Sequence, residues 1–289
     1  MTSMQGKICL ITGGTNGIGK STALGLARWG ATVVIVGRNA SKTARVVSEI
    51  KSATATSNVT ALLADLSSLN DVRRLAGEFK SEYAQLHVLI NNAGAVFLKR
   101  QLSVDGFEMT FAVNHLAHFL LTNLLIDMIK ASAPARIVVV SSAAHTRGRI
   151  DFENLQGERH YGGMEAYGNS KLANLLFTIE LARRLKGTGV TVNALHPGFV
   201  NTGFAKNNGA LVATVFGAVA PLIARPPEKG AATSIYLALS PEVQSITGKY
   251  FSDSKMVRTA PQAADTAVAK RLWEISAEMV HLAAVAEGS

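Results

Sequence analysis

The strongest constraint on the fold is an alternation of two sequence periodicities. Short runs rich in β-branched residues are typical of strands that are buried on both faces of a parallel sheet. They alternate with longer segments in which apolar residues recur at helical spacing. The runs predicted as strands are residues 8–12, 32–36, 59–62, 88–91, 136–140 and 190–195. The segments predicted as helices are residues 20–29, 42–52, 68–83, 107–130 and 166–185.

This alternation predicts the architecture of the sheet. Strands joined through helices form βαβ units, and crossovers of this kind are almost always right-handed. We therefore predict an α/β fold, a single Rossmann-like domain with a doubly wound, mostly parallel sheet and helices on both faces. No repeat or long linker interrupts the sequence, so residues 1–289 are predicted to form one dinucleotide-binding domain.

The sequence after Pro197 departs from the alternation. A turn-rich stretch leads into a nearly uncharged apolar segment, residues 210–224. Ligands of open α/β sheets bind outside the carboxyl ends of the strands, where this segment begins. We predict residues 198–226 to be a substrate loop, with residues 204–224 as its apolar lid. Core packing, a subunit interface and a peripheral membrane contact are the alternatives. The elements expected beyond it are a helix over 230–239, an edge strand over 249–251 and a helix over 262–282.

Composition narrows the class of partner. The chain carries 29 Lys and Arg against 20 Asp and Glu, a formal charge of +9, but the basic residues are dispersed and aromatic residues make up only 6%. This pattern favours a basic enzyme with a phosphorylated cofactor over a nucleic-acid-binding protein. No run of about 20 apolar residues is present, and the first residues are polar, so neither a membrane span nor a signal peptide is expected. The single cysteine, Cys9, is predicted to be a core residue and suits a cytoplasmic location.

A glycine cluster marks the first predicted site. The stretch Thr12-Gly13-Gly14-Thr15-Asn16-Gly17-Ile18-Gly19 lies between the first predicted strand and the first predicted helix. Glycine allows a tight turn and a close approach to a pyrophosphate, and a helix N-terminus supplies unpaired N–H groups. In this position the cluster predicts dinucleotide binding. The cofactor contacts expected here are Gly13, Thr15, Asn16, Gly17, Ile18 and Gly19.

Residues after the next three strands extend this site. NAD enzymes usually have an acidic residue after the second strand, whereas this chain has Arg38 and Asn39, and an arginine there accommodates a 2′-phosphate. NADP(H) is therefore favoured over NAD(H). The cofactor contacts predicted at the ends of the third and fourth strands are Asp65, Leu66, Asn92, Ala93 and Gly94. Asp65 is also a candidate cap of the helix that follows it.

A tyrosine, a lysine and a serine form the predicted catalytic group. Tyr167 and Lys171 stand one turn apart on a predicted helix and so share a face. The ordinary pKa of tyrosine, about 10, is too high for acid–base work at neutral pH, and a nearby ammonium lowers it. Ser142 ends the fifth predicted strand, where its hydroxyl can bond a substrate oxygen.

With these motifs in place, the chain resembles the short-chain dehydrogenase/reductase family, and within it the retinol dehydrogenase-like group. The resemblance spans essentially the whole chain. The matching stretches are residues 12–20, Asn91-Asn92-Ala93-Gly94, Val140-Ser141-Ser142, Tyr167-Gly168-Asn169-Ser170-Lys171-Leu172-Ala173-Asn174, His196-Pro197-Gly198 and Gly248-Lys249-Tyr250-Phe251-Ser252-Asp253.

The resemblance implies a role for each matched residue. Tyr167 is the implied proton donor in reduction and acceptor in oxidation. Lys171 is implied to bind the nicotinamide ribose and to lower the pKa of Tyr167. Ser142, rather than Ser141, is implied to polarise the carbonyl, and Asn114 to hold a proton-relay water. The further cofactor contacts implied are Tyr167, Lys171, Pro197, Gly198, Val200 and Thr202.

The function predicted is NADP(H)-dependent interconversion of an apolar aldehyde or ketone and its alcohol by hydride transfer. The expected partner is this small substrate, and a homo-oligomer is a further option. Reduction of an activated carbon–carbon double bond, as in protochlorophyllide reductase, uses the same Tyr/Lys pair and stays open, as does a non-catalytic nucleotide-binding regulator. A hydrolase is not expected, because no Gly-x-Ser-x-Gly motif is present. No metal site is expected either, because His115 and His118 lack a third ligand nearby.

Overall fold

The strands form one continuous sheet in the computed structural model, which describes residues 3–199 and 225–282. The strands are β1 Ile8–Thr12, β2 Thr32–Gly37, β3 Val59–Leu63, β4 Val88–Asn91, β5 Ala135–Val140, β6 Val190–His196, β7 Tyr250–Ser252 and β8 Lys255–Val257. Within these residues their order is β3-β2-β1-β4-β5-β6-β7-β8, parallel throughout except for the antiparallel pair β7–β8. The order reverses direction between β1 and β4, and open α/β sheets bind ligands at such a switch point.

Helices cover both faces of the sheet. They are α1 Gly17–Arg28, α2 Ala40–Thr54, α3 Leu69–Glu82, α4 Met109–Ala131, α5 Gly163–Arg184, α6 Pro227–Leu239 and α7 Thr266–Met279. Helices α1, α2 and α6 contribute to one apolar layer, and α3, α4, α5 and α7 to the other. The predicted doubly wound α/β fold is confirmed.

Strand β1 shows why a run of apolar residues forms the centre of the sheet. Cys9 and Ile11 face one apolar layer, whereas Leu10 faces the other, because successive side chains of a strand alternate between its faces. All three side chains are fully buried. Burial raises the pKa of the Cys9 thiol to about 12. The prediction that Cys9 is a core residue is confirmed.

Side-chain caps set where α2 and α3 begin. The Asn39 Oδ1 atom accepts a hydrogen bond from the Lys42 N–H at 2.8 Å and caps α2. Ser68, not Asp65, caps α3 by accepting from the Asp71 N–H. Asp65 instead shapes the preceding turn by accepting from the Ser67 N–H and hydroxyl. The alternative in which Asp65 caps this helix is therefore wrong.

Helix α4 contains a π-helical turn at Ala112–Leu116, which the helical spacing of its sequence does not predict. The helix packs on α3 and lies against the sheet. By length and composition α4 could cross a membrane, yet 72% of its apolar window is buried inside the fold. That burial is typical of a core helix, and the absence of a membrane span stays a prediction.

The two described residues that flank the predicted lid lie next to each other. The Arg225 N–H donates to the Phe199 carbonyl oxygen at 2.7 Å, so the two residues that flank residues 200–224 are paired. Val200, Thr202 and the lid predicted over 204–224 lie outside the described residues. The strand predicted over 249–251 corresponds to β7, but the expectation that it lies at the edge of the sheet is wrong, because β8 pairs with its outer side. The predicted closing helix corresponds to α7.

Candidate active site

Thr12 joins the two loops that follow β1 and β4. Its Oγ1 atom accepts the backbone N–H groups of Asn92 at 2.9 Å and Ala93 at 3.0 Å. In return, the Asn92 Nδ2 atom donates to the Thr12 carbonyl oxygen at 2.7 Å. The glycine-rich loop and the loop after β4 are therefore held together at the switch point of the sheet.

The glycine-rich loop can approach a dinucleotide closely. A Cβ atom on Gly19 would collide with the Gly13 carbonyl oxygen, and one on Gly13 would lie 2.9 Å from the Ala93 Cα. The Asn16 side chain makes no cap hydrogen bond to the first turn of α1. The N–H groups of that turn, which starts at Gly17, have no partner within the helix and suit an anion. These features fit the pyrophosphate of a nicotinamide cofactor.

Arg38 and its neighbours lie where the ribose of the adenosine would be recognised. Arg38 is exposed directly after β2. Thr15 is next to the same strand end, because a Cβ on Gly37 would lie 2.5 Å from its Cγ2 atom. None of the ion pairs in the described part of the chain includes Arg38. An exposed guanidinium at this point fits a 2′-phosphate.

Ser142 stands beside the phenol of Tyr167. It follows β5 and begins a short 3₁₀ helix, Ala143–Arg147, in which its Oγ atom accepts from the Ala144 N–H. The Ser142 side chain also hydrogen-bonds Tyr167. Ser141 points elsewhere and donates its hydroxyl to the Lys171 carbonyl oxygen at 2.8 Å. The structure thus places Ser142, and not Ser141, next to the phenol.

Burial dominates the titration of Tyr167. It raises the pKa of Tyr167 to about 12, although the hydrogen bond from Ser142 acts in the opposite direction. The Lys171 Nζ atom lies 5.6 Å from the centre of the phenol ring and donates to the Val140 carbonyl oxygen at 3.0 Å. The expectation that Lys171 lowers the pKa of Tyr167 is therefore not met in this arrangement. At neutral pH the phenol keeps its proton and can donate it.

Lys171 is a buried cation at the centre of the site. Its side chain is only 3% exposed, and burial lowers the pKa of Lys171 to about 8. A Cβ on Gly94 would lie 3.2 Å from the Lys171 Nζ atom and 3.5 Å from the Asn114 Oδ1 atom. Gly94 therefore keeps the backbone close to both side chains, where a larger residue would crowd them.

The amide of Asn114 is engaged by the protein itself. Its Oδ1 atom accepts from the Ala95 N–H at 2.8 Å, and its Nδ2 atom donates to the Ala95 carbonyl oxygen and to the Ser170 Oγ. The Ser170 hydroxyl donates to the Tyr167 carbonyl oxygen at 2.8 Å. Asn114 therefore ties the loop after β4 to the helix that carries Tyr167. The role implied for it in holding a relay water stays a prediction.

Sequence reasoning missed His145 and Tyr250. The His145 Nε2 atom accepts from the Ala260 N–H, so its Nδ1 atom carries the proton and donates to the Ser142 carbonyl oxygen at 2.7 Å. The His145 ring meets the Tyr250 ring edge-on at 4.9 Å. The Tyr250 hydroxyl is buried with no hydrogen-bond partner among the described residues. The only signal in the sequence is that both residues lie in or just after matching stretches.

The remaining predicted contacts that fall within the described residues lie around the same edge of the sheet. Pro197 and Gly198 follow β6, and Leu66 follows β3. Across the ranges 3–199 and 225–282, no group of three or more His, Cys, Asp or Glu side chains is placed to hold a metal ion.

Comparison with known proteins decides the family. The model for the family described as short chain dehydrogenase matches residues 7–211. The chain belongs to this family. Relatives of this short-chain dehydrogenase include retinol dehydrogenase 13 of Homo sapiens, 45% identical over 98% of this chain and 87% of the relative. Retinol dehydrogenase 12 of Mus musculus is 46% identical over 96% of this chain and 87% of the relative.

Solved structures show the same fold. An uncharacterized protein from Mycobacterium paratuberculosis matches with a TM-score of 0.78 and 32% identity, covering 97% of this chain and 96% of its own. The NADP active-site complex of Pseudomonas aeruginosa RhlG matches with a TM-score of 0.68 and 29% identity, covering 86% and 95%. The resemblance predicted from the motifs of this short-chain dehydrogenase is confirmed.

Proposed function

We propose that this short-chain dehydrogenase interconverts an apolar aldehyde or ketone and its alcohol with NADP(H). The observation that carries the proposal is the hydrogen-bonded pair of Ser142 and Tyr167 beside the buried ammonium of Lys171. Relatives named retinol dehydrogenases support the alcohol–carbonyl chemistry. Neighbours solved with NADP, among them RhlG and a short-chain dehydrogenase from Burkholderia cenocepacia, support the choice of cofactor.

The side chains of the site can donate the proton that carbonyl reduction requires. The nicotinamide cofactor supplies a hydride to the carbonyl carbon in reduction and accepts it in oxidation. The hydroxyl groups of Ser142 and Tyr167 can both donate to the carbonyl oxygen. The Tyr167 proton moves to that oxygen as the C=O double bond becomes a C–O single bond. Lys171 supplies positive charge close to the phenolate that remains.

A panel of substrates tests this function directly. NADPH oxidation is measured with aldehydes, ketones and activated alkenes. We expect turnover of the carbonyl compounds, and kcat/KM should rise with chain length, because burial of each CH₂ contributes up to about 0.8 kcal/mol. The apolar composition of residues 210–224 motivates the expected chain-length dependence. A flat profile, or a preference for charged sugars, would overturn the apolar substrate class. Turnover of alkenes alone would show a carbon–carbon double-bond reductase.

Cofactor choice is tested by replacing Arg38. In Arg38→Asp, a carboxylate that can accept from a ribose 2′-OH replaces the phosphate partner and repels the 2′-phosphate. We expect the ratio of kcat/KM for NADPH to that for NADH to fall about 10- to 100-fold, since hydrogen bonds to charged groups contribute about 1.5–3 kcal/mol. Arg45→Asp is the matched control. Arg45 is exposed on α2, and its replacement by aspartate changes the charge by the same amount. An equal ratio in both variants would mean that Arg38 is only a surface charge.

A further inference from the structure

His118 lies buried between the cofactor loops and the catalytic end of α4. Its side chain is 1% exposed, and both ring nitrogens are within hydrogen-bond distance of a residue of the site. The Nε2 atom is 2.9 Å from the Thr12 Oγ1 atom. The Nδ1 atom is 3.1 Å from the carbonyl oxygen of Asn114, one turn earlier on the helix. A buried ring nitrogen without a partner is costly, so these two contacts hold the imidazole in a defined orientation.

The hydrogen bonds around Thr12 fix the tautomer of this histidine. Two backbone N–H groups, those of Asn92 and Ala93, already donate to the Thr12 Oγ1 atom, so the hydroxyl must donate its own proton elsewhere. The His118 Nε2 atom at 2.9 Å is closer than the alternative acceptor, the Ile90 carbonyl oxygen at 3.4 Å. Nε2 therefore accepts, and the proton lies on Nδ1, which donates to Asn114.

The imidazole stays in this neutral form at any working pH. Burial, with the nearby charge of Lys171 as a smaller influence, lowers the pKa of His118 to about 3. A protonated ring would carry a hydrogen on Nε2 and could not accept from the Thr12 hydroxyl. The neutral ring can hold its two contacts at once, and near neutral pH it does not become charged.

Each contact of His118 leads to a different part of the site. On one side, Thr12 fastens the loops after β1 and β4, which belong to the cofactor site. On the other side lies Asn114, in the π turn of α4, whose amide reaches Ala95 and Ser170 next to Tyr167. π-Helical turns are rare and occur frequently at functional sites.

We propose that His118 is a positioning residue that holds the cofactor loops through Nε2 and the catalytic turn of Asn114 through Nδ1. The proposal rests on the proposed function and assigns a different role to each ring nitrogen of His118. The Nε2 contact supports cofactor affinity, whereas the Nδ1 contact supports the rate of the chemical step. The two effects can be separated, because asparagine can retain the hydrogen bond made by Nδ1 and glutamine can retain the one made by Nε2.

Two conservative variants of His118 each remove one of its two hydrogen bonds. Asparagine places its amide close to the position of Nδ1, so His118→Asn retains a donor to Asn114 and loses the acceptor for Thr12. Glutamine reaches the position of Nε2, so His118→Gln retains an acceptor for Thr12 and loses the donor. The dissociation constant of NADPH is measured by fluorescence titration without substrate, and kcat is measured with saturating NADPH and a carbonyl substrate. His87→Gln is the control. His87 precedes β4 and accepts a hydrogen bond from the N–H of Ile8, the first residue of β1, so it lies at the opposite end of these strands from the site.

The expected result is a crossed pattern. His118→Asn should raise the NADPH dissociation constant about three- to tenfold with little change in kcat, and His118→Gln should lower kcat by a similar factor at unchanged affinity, as for loss of one hydrogen bond. The control should change neither. Equal changes in both variants, or a lower melting temperature with both constants intact, would show that His118 only packs the core. Failure of the proposed function would appear differently, as a wild-type protein that reduces no carbonyl, while the binding comparison would still test the Thr12 contact.

Discussion

Replacing Tyr167 by phenylalanine is expected to lower kcat for carbonyl reduction by about 10²–10⁴, the usual contribution of a positioned general acid. The variant removes only the hydroxyl that is hydrogen-bonded to Ser142 and keeps the ring beside Lys171. NADPH affinity should therefore change little. The measurement is kcat in the presence of saturating NADPH, together with a fluorescence titration of NADPH binding.

A second tyrosine supplies the control for this prediction. Tyr236 is on α6, where its hydroxyl donates to Glu242 at an exposed position. Tyr236→Phe removes the same atom and should leave kcat and NADPH affinity at wild-type values. If Tyr167→Phe also kept a kcat close to wild type, Tyr167 would have no part in proton transfer.

Replacing Lys171 by methionine is expected to have two large effects that differ in direction. Activity should fall by at least about tenfold, because the buried ammonium is placed to stabilise the developing phenolate. Stability near neutral pH should rise relative to wild type, because the folded protein holds a proton on Lys171 less well than the unfolded chain. The folded pKa of Lys171 is about 8, against an ordinary value of 10.5.

The pH dependence of stability reports this shift. Between pH 8 and 10.5 the folded wild-type protein has released the Lys171 proton while the unfolded chain still holds it, so this group by itself makes the free energy of unfolding rise with pH. Over this whole pH range, the shifted pKa of Lys171 changes the free energy of unfolding by about 3 kcal/mol. Lys171→Met lacks this pH-dependent change, so the amount by which it is more stable than wild type should shrink as pH rises towards 10. Cys9 acts in the opposite direction above about pH 9, because burial raises its pKa, but it does so equally in Lys171→Met and cancels in the difference between the two proteins.

Urea unfolding at a series of pH values measures this difference. Measurements should stop near pH 10, because the raised pKa of Tyr167 makes stability fall at higher pH. Lys270→Met, at an exposed position of α7, is the control and should show no such trend. A difference between Lys171→Met and wild type that does not vary with pH would contradict a lowered pKa of Lys171.

The central strands could be predicted from the sequence because burial on both faces leaves a direct pattern. Strands β1 and β4 have the bounds that their apolar runs indicate. Strand β8 was not predicted, because its residues are exposed and lie at the edge, where pairing with β7 rather than burial defines the strand. The bounds of α5 also differ, since it starts at Gly163, three residues before the predicted position.

The site could be predicted as a set of residues but not as a set of interactions. Spacing places Tyr167 and Lys171 on one face, yet it says nothing about how deeply either is buried, and burial dominates the pKa of Tyr167. The motif around Asn114 likewise hides the π turn, because apolar residues continue at helical spacing through it. His118 could be predicted only as an interior residue, since its partner Thr12 comes from a strand far away in the sequence.

Isotope transfer tests the central claim most directly. The enzyme is incubated with NADPH deuterated at the transferable position of C4 and with an α,β-unsaturated aldehyde, which offers both a C=O and a C=C bond. The product is analysed by NMR. Hydride transfer to a carbonyl predicts an unsaturated alcohol with deuterium on the carbinol carbon, and Tyr167→Phe should abolish its formation. A saturated aldehyde with deuterium on the β carbon, or no transfer of deuterium to any substrate, would contradict the account.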